Sequence, residues 1–328
     1  MSHPITFVCC VESGLLENQT VRMIESLRRW GGRLRESPIF AVTPRMGPPL
    51  SRQTHRAFER LGVEYLRFQA ESRYPWLGFL NKPYALVAVQ ERSTSECIGW
   101  LDSDFLFLGE PEELILKEGE DFVACAPDRN IGTTGPEDPF EPYWKAICQV
   151  VGLDIEDLPW ITTEMEGKRI RLYWNSGVFV YRRHTGFAHP YLQTCLQLLD
   201  SRLANHNSKI FFTDQVALGL AMVKLGLSWR ALSYSHNYQS GSLKPEQWGI
   251  SEKLKPVRIL HHHDAMLPPF FSEFVNILRA PHPDVAEWIS SLEPLKNQAS
   301  IPWRTTSKNL KQVRSRKEAN FMNLCKIL

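Results

Sequence analysis

Residues 97–107 read CIGWLDSDFLF, a short apolar run that ends at two aspartates separated by one serine. The run predicts a buried β-strand over residues 97–101, with Asp102 and Asp104 directly beyond its carboxyl end. Two carboxylates so close together offer hard oxygen ligands to Mg²⁺ or Mn²⁺, which complete their coordination with water and substrate phosphates. A pair of solvated aspartates in a turn is the alternative interpretation of the same residues.

Strands and helices alternate along the chain around this segment. Apolar runs predict buried strands over residues 5–11, 39–42, 63–68 and 122–126. Apolar periodicity and boundary residues predict helices over residues 17–30, 51–62 and from Pro83 onward. This order predicts an α/β fold, Rossmann-like, with a doubly wound and mostly parallel sheet. Because ligands bind beyond the carboxyl ends of such strands, we expect Glu12 and Asp102 to share one crevice.

The charge of the chain is divided unevenly. The 328 residues carry a formal net charge of +2, yet the segment from Lys296 to the end holds eight basic side chains and one acid. The other residues hold 30 basic and 35 acidic side chains, which argues against a nucleic-acid-binding core. With its few apolar residues, the segment 296–328 is predicted to be a basic, flexible tail. Such a tail is either merely solvated or makes peripheral contact with an anionic membrane surface.

The cysteines and the N-terminal residues bear on location. Seven cysteines, none of them in a CxxC pair, lie mostly in apolar stretches, which is typical of free thiols in a reducing compartment. The first residues show no basic region of a signal peptide, and no apolar run has the length of a membrane span. We therefore expect a cytoplasmic protein.

Three further motifs place polar residues at the ends of predicted elements. NKP (residues 81–83) puts a lysine at a helix start, where either an anionic ligand or simple exposure explains it. NSG (residues 175–177) opens a strand predicted over 173–181, which suits either a ligand close to the backbone or a β-bulge. TDQ (residues 213–215) opens a helix, where capping alone is the alternative explanation.

The order of these motifs resembles that of a known enzyme group. The chain carries, in order, NKP, LDSD, NSGV and TDQ, followed by a short strand that ends in His. This order is similar to that in the glycogenin-like and lipopolysaccharide galactosyltransferase-like GT-A glycosyltransferases. The resemblance spans roughly residues 5–265, and its specificity lies in the ordered set. It implies metal-dependent transfer of a hexose from a nucleotide-diphosphate sugar, in particular a UDP-sugar. The acceptor, a hydroxyl of a glycan, lipid, peptide or small molecule, is not identified.

The resemblance also implies roles for individual residues. The cofactor, Mn²⁺ or Mg²⁺, is expected to bind Asp102, Asp104 and His261. Asp214 and Gln215 take the catalytic positions at the reacting face of the sugar. On the donor side the resemblance implies Lys82, Asn175, Gly177 and Asn237. The full predicted donor-binding set also includes Val11, Glu12, Arg45, Asp102 and Ser103.

One segment departs from the pattern of the group. The late His of the group is normally followed by a Gly and a Lys-Pro-Trp that grips the diphosphate, whereas residues 261–269 here read HHHDAMLPP. Arg45 and Lys82 are the candidates to replace that clamp.

Three adjacent histidines compete for the place of the metal ligand. Side chains alternate along a strand, so His261 and His263 are expected on one side and His262 on the other. The resemblance favours His261 as the ligand, with His263 beside it or near the acceptor and His262 in packing or at the surface. Three loop residues without a ligand role are the alternative.

Other functional interpretations remain open from the sequence. A haloacid-dehalogenase-type phosphatase would need Thr or Val where Leu106 stands, and its motif on the first strand. A sugar-nucleotidyltransferase would need a basic, glycine-rich loop after the first strand, where residues 12–16 read ESGLL. A non-catalytic sugar- or partner-binding module would keep the same site residues. Within glycosyl transfer we favour retention of configuration, and for inversion Asp214 is the expected base.

The predicted domain organisation is a single catalytic domain in two halves. Residues 1–126 are expected to bind the nucleotide sugar and residues 127–295 the acceptor, ahead of the basic tail.

Overall fold

The computed structural model of the chain describes residues 4–206, 213–240 and 251–328. The strands are β1 (Ile5–Cys10), β2 (Ile39–Thr43), β3 (Val63–Arg67), β4 (Cys97–Leu101), β5 (Phe105–Phe107), β6 (Phe122–Cys125), β7 (Trp160–Thr162), β8 (Arg169–Arg171), β9 (Asn175–Arg182), β10 (Leu203–Ala204), β11 (Trp229–Leu232), β12 (Tyr238–Gln239), β13 (Ile259–His261) and β14 (Lys326–Ile327). The helices are α1 (Leu15–Trp30), α2 (Arg52–Leu61), α3 (Asn81–Gln90), α4 (Glu141–Val151), α5 (Ala188–Ser201), α6 (Thr213–Lys224), α7 (Ser251–Leu254), α8 (Phe271–Arg279), α9 (Pro283–Ser290) and α10 (Ile301–Met322). Residues 1–3 of the N-terminal segment, where no signal peptide is expected, lie outside the described residues, as does Phe212, which precedes the TDQ motif.

A seven-stranded sheet in the order β11-β6-β9-β4-β1-β2-β3 forms the centre of the fold. Its strands run parallel except β9, which pairs antiparallel with both β4 and β6. The predicted α/β class and mostly parallel sheet are therefore confirmed. Because β9 is antiparallel, its first residues, Asn175 to Gly177, lie at the edge where β1 and β4 end.

Both faces of the sheet are covered, which explains why its strands are continuous apolar runs rather than alternating ones. On β1, Phe7 packs with α1 and α2, whereas Val8 points to the opposite face and packs with α3 and α5. Local signals fixed the element ends as predicted. The Ser51 side chain accepts from the Thr54 backbone N–H at the start of α2, and Gly62 closes the helix with φ 63°.

A second, three-stranded sheet carries the histidines to the end of β4. β5 follows Asp104 directly and pairs antiparallel with β13, so that Phe105 lies opposite His261. β12 pairs parallel with β13 and sets Gln239 beside His261. Residues far apart along the chain therefore meet at one edge of the central sheet.

The end of the chain differs from the predicted flexible tail. Residues 301–322 form α10, the Phe321 side chain is buried, and β14 pairs with β10. The helix went unpredicted because its inward face is polar, and polar faces give no apolar periodicity. Within the described part of the chain, no helix is both long and apolar enough to cross a membrane.

Phe321 is expected to hold α10 on the domain. Its ring lies 5.2 Å from that of Trp76 and 5.5 Å from that of Tyr74, measured between centroids. Phe321→Ala should lower the free energy of unfolding, measured in urea, by about 3 kcal/mol, because it opens a cavity in a packed aromatic cluster. Val313→Ala, on an exposed face of the same helix, should change it by less than about 0.5 kcal/mol. Equal unfolding midpoints for the two variants would contradict the packing role.

Candidate active site

A cleft of about 1040 Å³ opens at the carboxyl ends of β1 and β4. Ten of the sequence-predicted site residues line it: Glu12, Arg45, Lys82, Asp102, Ser103, Asp104, Asn175, Asp214, Gln215 and His261. Val11, Gly177 and Asn237 are buried behind its walls. The strand order thus brings to one place residues that are spread over 250 positions of sequence.

Backbone contacts fix the loop that carries the two aspartates. The Asp102 N–H donates to the Gly177 carbonyl at 2.9 Å, and the Ser103 hydroxyl donates to the Cys10 carbonyl at 2.6 Å. A Cβ on Gly177 would lie only 3.0 Å from the Phe105 ring, so a larger residue here would force the ring to shift. β4 is therefore tied to β9 and β1 at the point where the carboxylates begin.

Asp104 faces two imidazoles. Its Oδ1 lies 3.0 Å from Nε2 of His261, and its Oδ2 lies 3.8 Å from Nδ1 of His263. The two rings are stacked with centroids 4.0 Å apart. One ligand atom from each of the three residues falls within 4.8 Å of the others, a spacing that could hold a metal ion.

The electrostatics of this group set which forms are charged. Burial would raise the pKa of Asp104, but the three nearby histidines lower it by more than burial raises it. The net shift is therefore downward. For His261, burial lowers the pKa and Asp104 raises it, with a net upward shift. Burial and the neighbouring His261 lower the pKa of His263 to about 4, so its ring is neutral at pH 7.

His262 points away from the cleft. It is 1% exposed, its Nδ1 lies 2.9 Å from the His263 carbonyl, and its ring lies near Phe274. His263 has a φ of 47°, a left-handed conformation that non-glycine residues seldom adopt. Such strained residues concentrate at functional sites.

Lys82 is buried and joins two carboxylates. Its Nζ lies 3.0 Å from Asp214 Oδ2 and 3.6 Å from Asp102 Oδ1, and it donates to the Ser176 hydroxyl at 2.6 Å. Burial raises the pKa of Asp102 although Lys82 opposes the shift. Burial would lower the pKa of Lys82, but the two carboxylates raise it. The positive charge of Lys82 is therefore already compensated within the protein.

Arg45 is compensated in the same way. It forms a bidentate pair with Glu12, in which Nη2 donates to Oε2 at 2.9 Å and Nε donates to Oε1. Asn81 Nδ2 also donates to Glu12 Oε1, at 2.8 Å. Neither of the two cations predicted to clamp a diphosphate is therefore free of a carboxylate.

Two residues of the site were missed or underrated from the sequence. Gln239 was not predicted, yet its Oε1 lies 2.8 Å from His263 Nε2, and its Nε2 lies 3.2 Å from His261 Nδ1 and donates to Asn237 Oδ1 at 2.8 Å. The parallel pairing of β12 with β13 is what places Gln239 in the site, and no local sequence pattern predicts that pairing. His263 was expected beside the metal ligands, whereas in the structure it is one of the three clustered residues, together with Asp104 and His261. Asp102 was expected to be a ligand, but it lies outside this cluster and faces Lys82.

The remaining predicted residues, which come from the middle of the chain, line another side of the cleft. Asp214 is 2% exposed and accepts from the Ser176 hydroxyl, and its Oδ1 has no hydrogen-bond partner among the described residues. Gln215 Oε1 accepts from the Tyr173 hydroxyl at 2.9 Å. Asn175 Oδ1 accepts from the Gly177 N–H at 2.9 Å.

Comparison with known proteins relates the chain to one family. A family model described as the Rhodobacterales glycosyltransferase domain matches residues 7–226. None of the curated proteins matches the sequence.

Three glycosyltransferases are among the solved structures that the chain matches, each at low sequence identity. GlyE of Streptococcus pneumoniae TIGR4 is 13% identical with a TM-score of 0.48, and the match covers 92% of this chain and 67% of GlyE. The bifunctional glycosyltransferase WbbM is 10% identical with a TM-score of 0.45, and the match covers 89% of this chain and 52% of WbbM. Mouse xyloside xylosyltransferase 1 is 14% identical with a TM-score of 0.44, and the match covers 80% of this chain and 97% of that protein.

The Lys82 contacts generate a pH-dependent prediction. Lys82→Met should lower the free energy of unfolding at pH 7 by about 3 kcal/mol, because it leaves buried carboxylate charge uncompensated. The deficit should shrink toward pH 5, since the pKa of Asp102 is already raised by burial and its protonation removes charge. Urea denaturation at several pH values measures this.

Lys145→Met is the matched control. Lys145 is 52% exposed and lies 3.5 Å from Glu141, so its loss should cost less than about 1 kcal/mol at any pH. A deficit for Lys82→Met that stays constant between pH 7 and pH 5 would count against the electrostatic explanation.

Proposed function

Because the chain belongs to the Rhodobacterales glycosyltransferase domain family, we propose that it transfers a hexose from a UDP-sugar to an acceptor hydroxyl with the help of a divalent cation. The protein is a glycosyltransferase, and such an enzyme brings together a sugar donor and an acceptor. The observation that carries the finer proposal is the cluster of Asp104, His261 and His263 at the carboxyl end of β4. Family membership also favours glycosyl transfer over the transfer of a nucleotidyl group.

The residues of this cluster fit a divalent cation. The His263 Nε2 atom meets the Gln239 side-chain oxygen, so Nε2 carries the proton and Nδ1 keeps a lone pair directed at Asp104. Nδ1 and the Asp104 carboxylate both accept, and a cation between them would satisfy both. Mn²⁺ binds carboxylate and imidazole ligands together, and the imidazole must be neutral to bind. A bound cation would offset the negative charge that develops on the departing diphosphate.

Asp102 is proposed to complete the donor side of the site. Its Oδ1 accepts from Trp100 Nε1 at 2.7 Å and lies 3.6 Å from Lys82, which fixes the carboxylate. The other oxygen is then left to meet the cation, as the sequence resemblance implies, or a hydroxyl of the donor. Asn175 and Ser103 line the same side of the cleft.

The contacts of Asp214 favour retention of configuration. The Lys82 ammonium lies 3.0 Å from Asp214 Oδ2, so this oxygen is held in an ion pair inside the protein and is not directed at an acceptor hydroxyl. A retaining transfer needs no strong base from the protein, whereas an inverting one does. We assign Asp214 and Gln215 to holding hydroxyl groups at the reacting face of the sugar, with the unpaired Asp214 Oδ1 as the acceptor atom.

We also propose the wider organisation expected from the sequence. Residues 1–126 would bind the nucleotide sugar and residues 127–295 the acceptor. The cysteines of the described residues are free, which is in keeping with a reducing, cytoplasmic location.

A panel of nucleotide sugars tests the proposed activity. We expect one UDP-sugar to raise the melting temperature in the presence of Mn²⁺ and to be hydrolysed slowly, since a ligand that binds only the folded state stabilises it. Asp104→Asn and His261→Ala should each reduce Mn²⁺-dependent binding and turnover at least about 100-fold, because each removes a ligand of the cation. Asp264→Asn, an exposed carboxylate beside the cluster, should behave as wild type. Full turnover in Asp104→Asn would remove that residue from the metal site.

The affinity for Mn²⁺ should depend on pH. Burial lowers the pKa of His261 but Asp104 raises it more, so the ring must release a proton before it binds a cation. Between pH 8 and pH 6 the dissociation constant for Mn²⁺, measured by calorimetry or electron paramagnetic resonance, should rise by up to about tenfold per pH unit. His261→Ala should bind Mn²⁺ weakly at every pH and lose much of this dependence. An unchanged affinity across the range in the wild type would exclude His261 as a ligand.

A further inference from the structure

A second cavity, of about 360 Å³, adjoins the cleft. The two share Glu12, Arg45 and Gly78, so a ligand can extend from one into the other. Its inner wall includes Thr43 at the end of β2 and the indole of Trp76. Its outer wall is the face of α10 formed by Ser307, Leu310, Lys311, Arg314, Ser315 and Glu318.

The residues of this wall follow the spacing of one helical face. Positions i, i+3, i+4, i+7, i+8 and i+11 from Ser307 lie along one side of an α-helix. A helix that packs on a core places apolar residues at this spacing, but here five of the six are polar or charged. A polar inward face suits a helix that encloses a polar ligand better than one that covers a core.

The helix is held in place at both ends and in the middle. Asn18 Nδ2 donates to the Lys296 carbonyl at 2.7 Å ahead of the helix, and Phe321 packs on Trp76 at its end. Arg314 Nη2 donates to the Met46 carbonyl at 2.6 Å, across the mouth of the cavity. The wall is therefore a built part of the domain.

The same wall supplies positive charge that the cleft lacks. Arg45 is paired with Glu12, and Lys82 is paired with Asp102 and Asp214. Lys311 and Arg314 face the cavity, and neither has a carboxylate within ion-pair distance in the described ranges. Partial burial and the neighbouring charge of Arg45 lower the pKa of Arg314, against the opposing effect of Glu12. Glu318 is the one acid that α10 contributes to the wall, so the cations of this wall outnumber its acids, and a bound anion would balance the excess.

We propose that this cavity binds the nucleotide part of the sugar donor, with α10 as its outer wall and Lys311 and Arg314 as charged groups that contact the nucleotide. The inference rests on the proposed function, and it places the diphosphate where the cavity joins the cleft that contains the metal cluster. The C-terminal helix would then be part of the donor site, contrary to the dispensable tail expected from the sequence.

Titration of the full chain with UDP, GDP, ADP and CDP in the presence of Mn²⁺ tests the proposal. Wild type should bind at least one of them, and Lys311→Ala and Arg314→Ala should each weaken that binding about tenfold, as expected for the loss of a charged contact to a phosphate or ribose. The double variant should weaken it further. Arg316→Ala is the matched control, because Arg316 lies two residues beyond Arg314 on the opposite side of the helix and is exposed. Melting curves without ligand establish that the variants are folded.

The outcomes separate the two proposals. If no nucleoside diphosphate binds to wild type, the donor class is wrong and both proposals fall. If one binds to wild type and binds equally well to Lys311→Ala, Arg314→Ala and the double variant, α10 is not part of the site and the proposed function stands. Because Lys311 is exposed and has no partner among the described residues, its substitution tests the site without disturbing the position of the helix.

Discussion

The buried ammonium of Lys82 is the interaction on which the geometry of the cleft depends. It lies among Asp102 at the end of β4, Ser176 at the start of β9 and Asp214 on α6, and so joins three elements of the fold. A lysine with so little exposure is stable only when carboxylates offset its desolvation. The same carboxylates would repel one another without it. The cation therefore fixes where two carboxylates of the cleft lie.

The antiparallel strand β9 has a consequence for the chemistry of the cleft. In an all-parallel sheet, only carboxyl ends of strands would meet at this edge. The reversed direction of β9 brings an amino end there, and with it the Asn175 amide and the Gly177 carbonyl that accepts from Asp102. The close approach of Phe105 explains why glycine occupies position 177. Gly177 thus lies close to the Phe105 ring and also accepts a hydrogen bond from the Asp102 N–H.

Charge compensation also bears on where the proposed donor site finds its positive charge. The cations nearest the cleft floor, Arg45 and Lys82, serve the structure through their carboxylate partners. Positive charge for an anionic ligand must then come from elements added around the sheet. The polar face of α10 lines the second cavity and the Asp104–His261–His263 cluster lines the cleft, and the two spaces adjoin through Glu12, Arg45 and Gly78. The proposed metal site and the proposed nucleotide cavity are therefore adjacent.

The sequence by itself determined β1 to β4, β6 and β9 of the central sheet, the ends of α2 and most of the residues that gather at the cleft, because apolar runs, caps and glycines act over short distances. The order of the motifs, which resembles that of a known enzyme group, further indicated Asp104 and His261 as candidate metal ligands. Only the tertiary structure decided what those residues contact. The pairing of Arg45 with Glu12, the place of Gln239 beside His261 and the position of α10 all join segments far apart in sequence. Local patterns carry no record of such contacts, and a helix face that lines a polar cavity lacks the apolar periodicity by which helices are recognised.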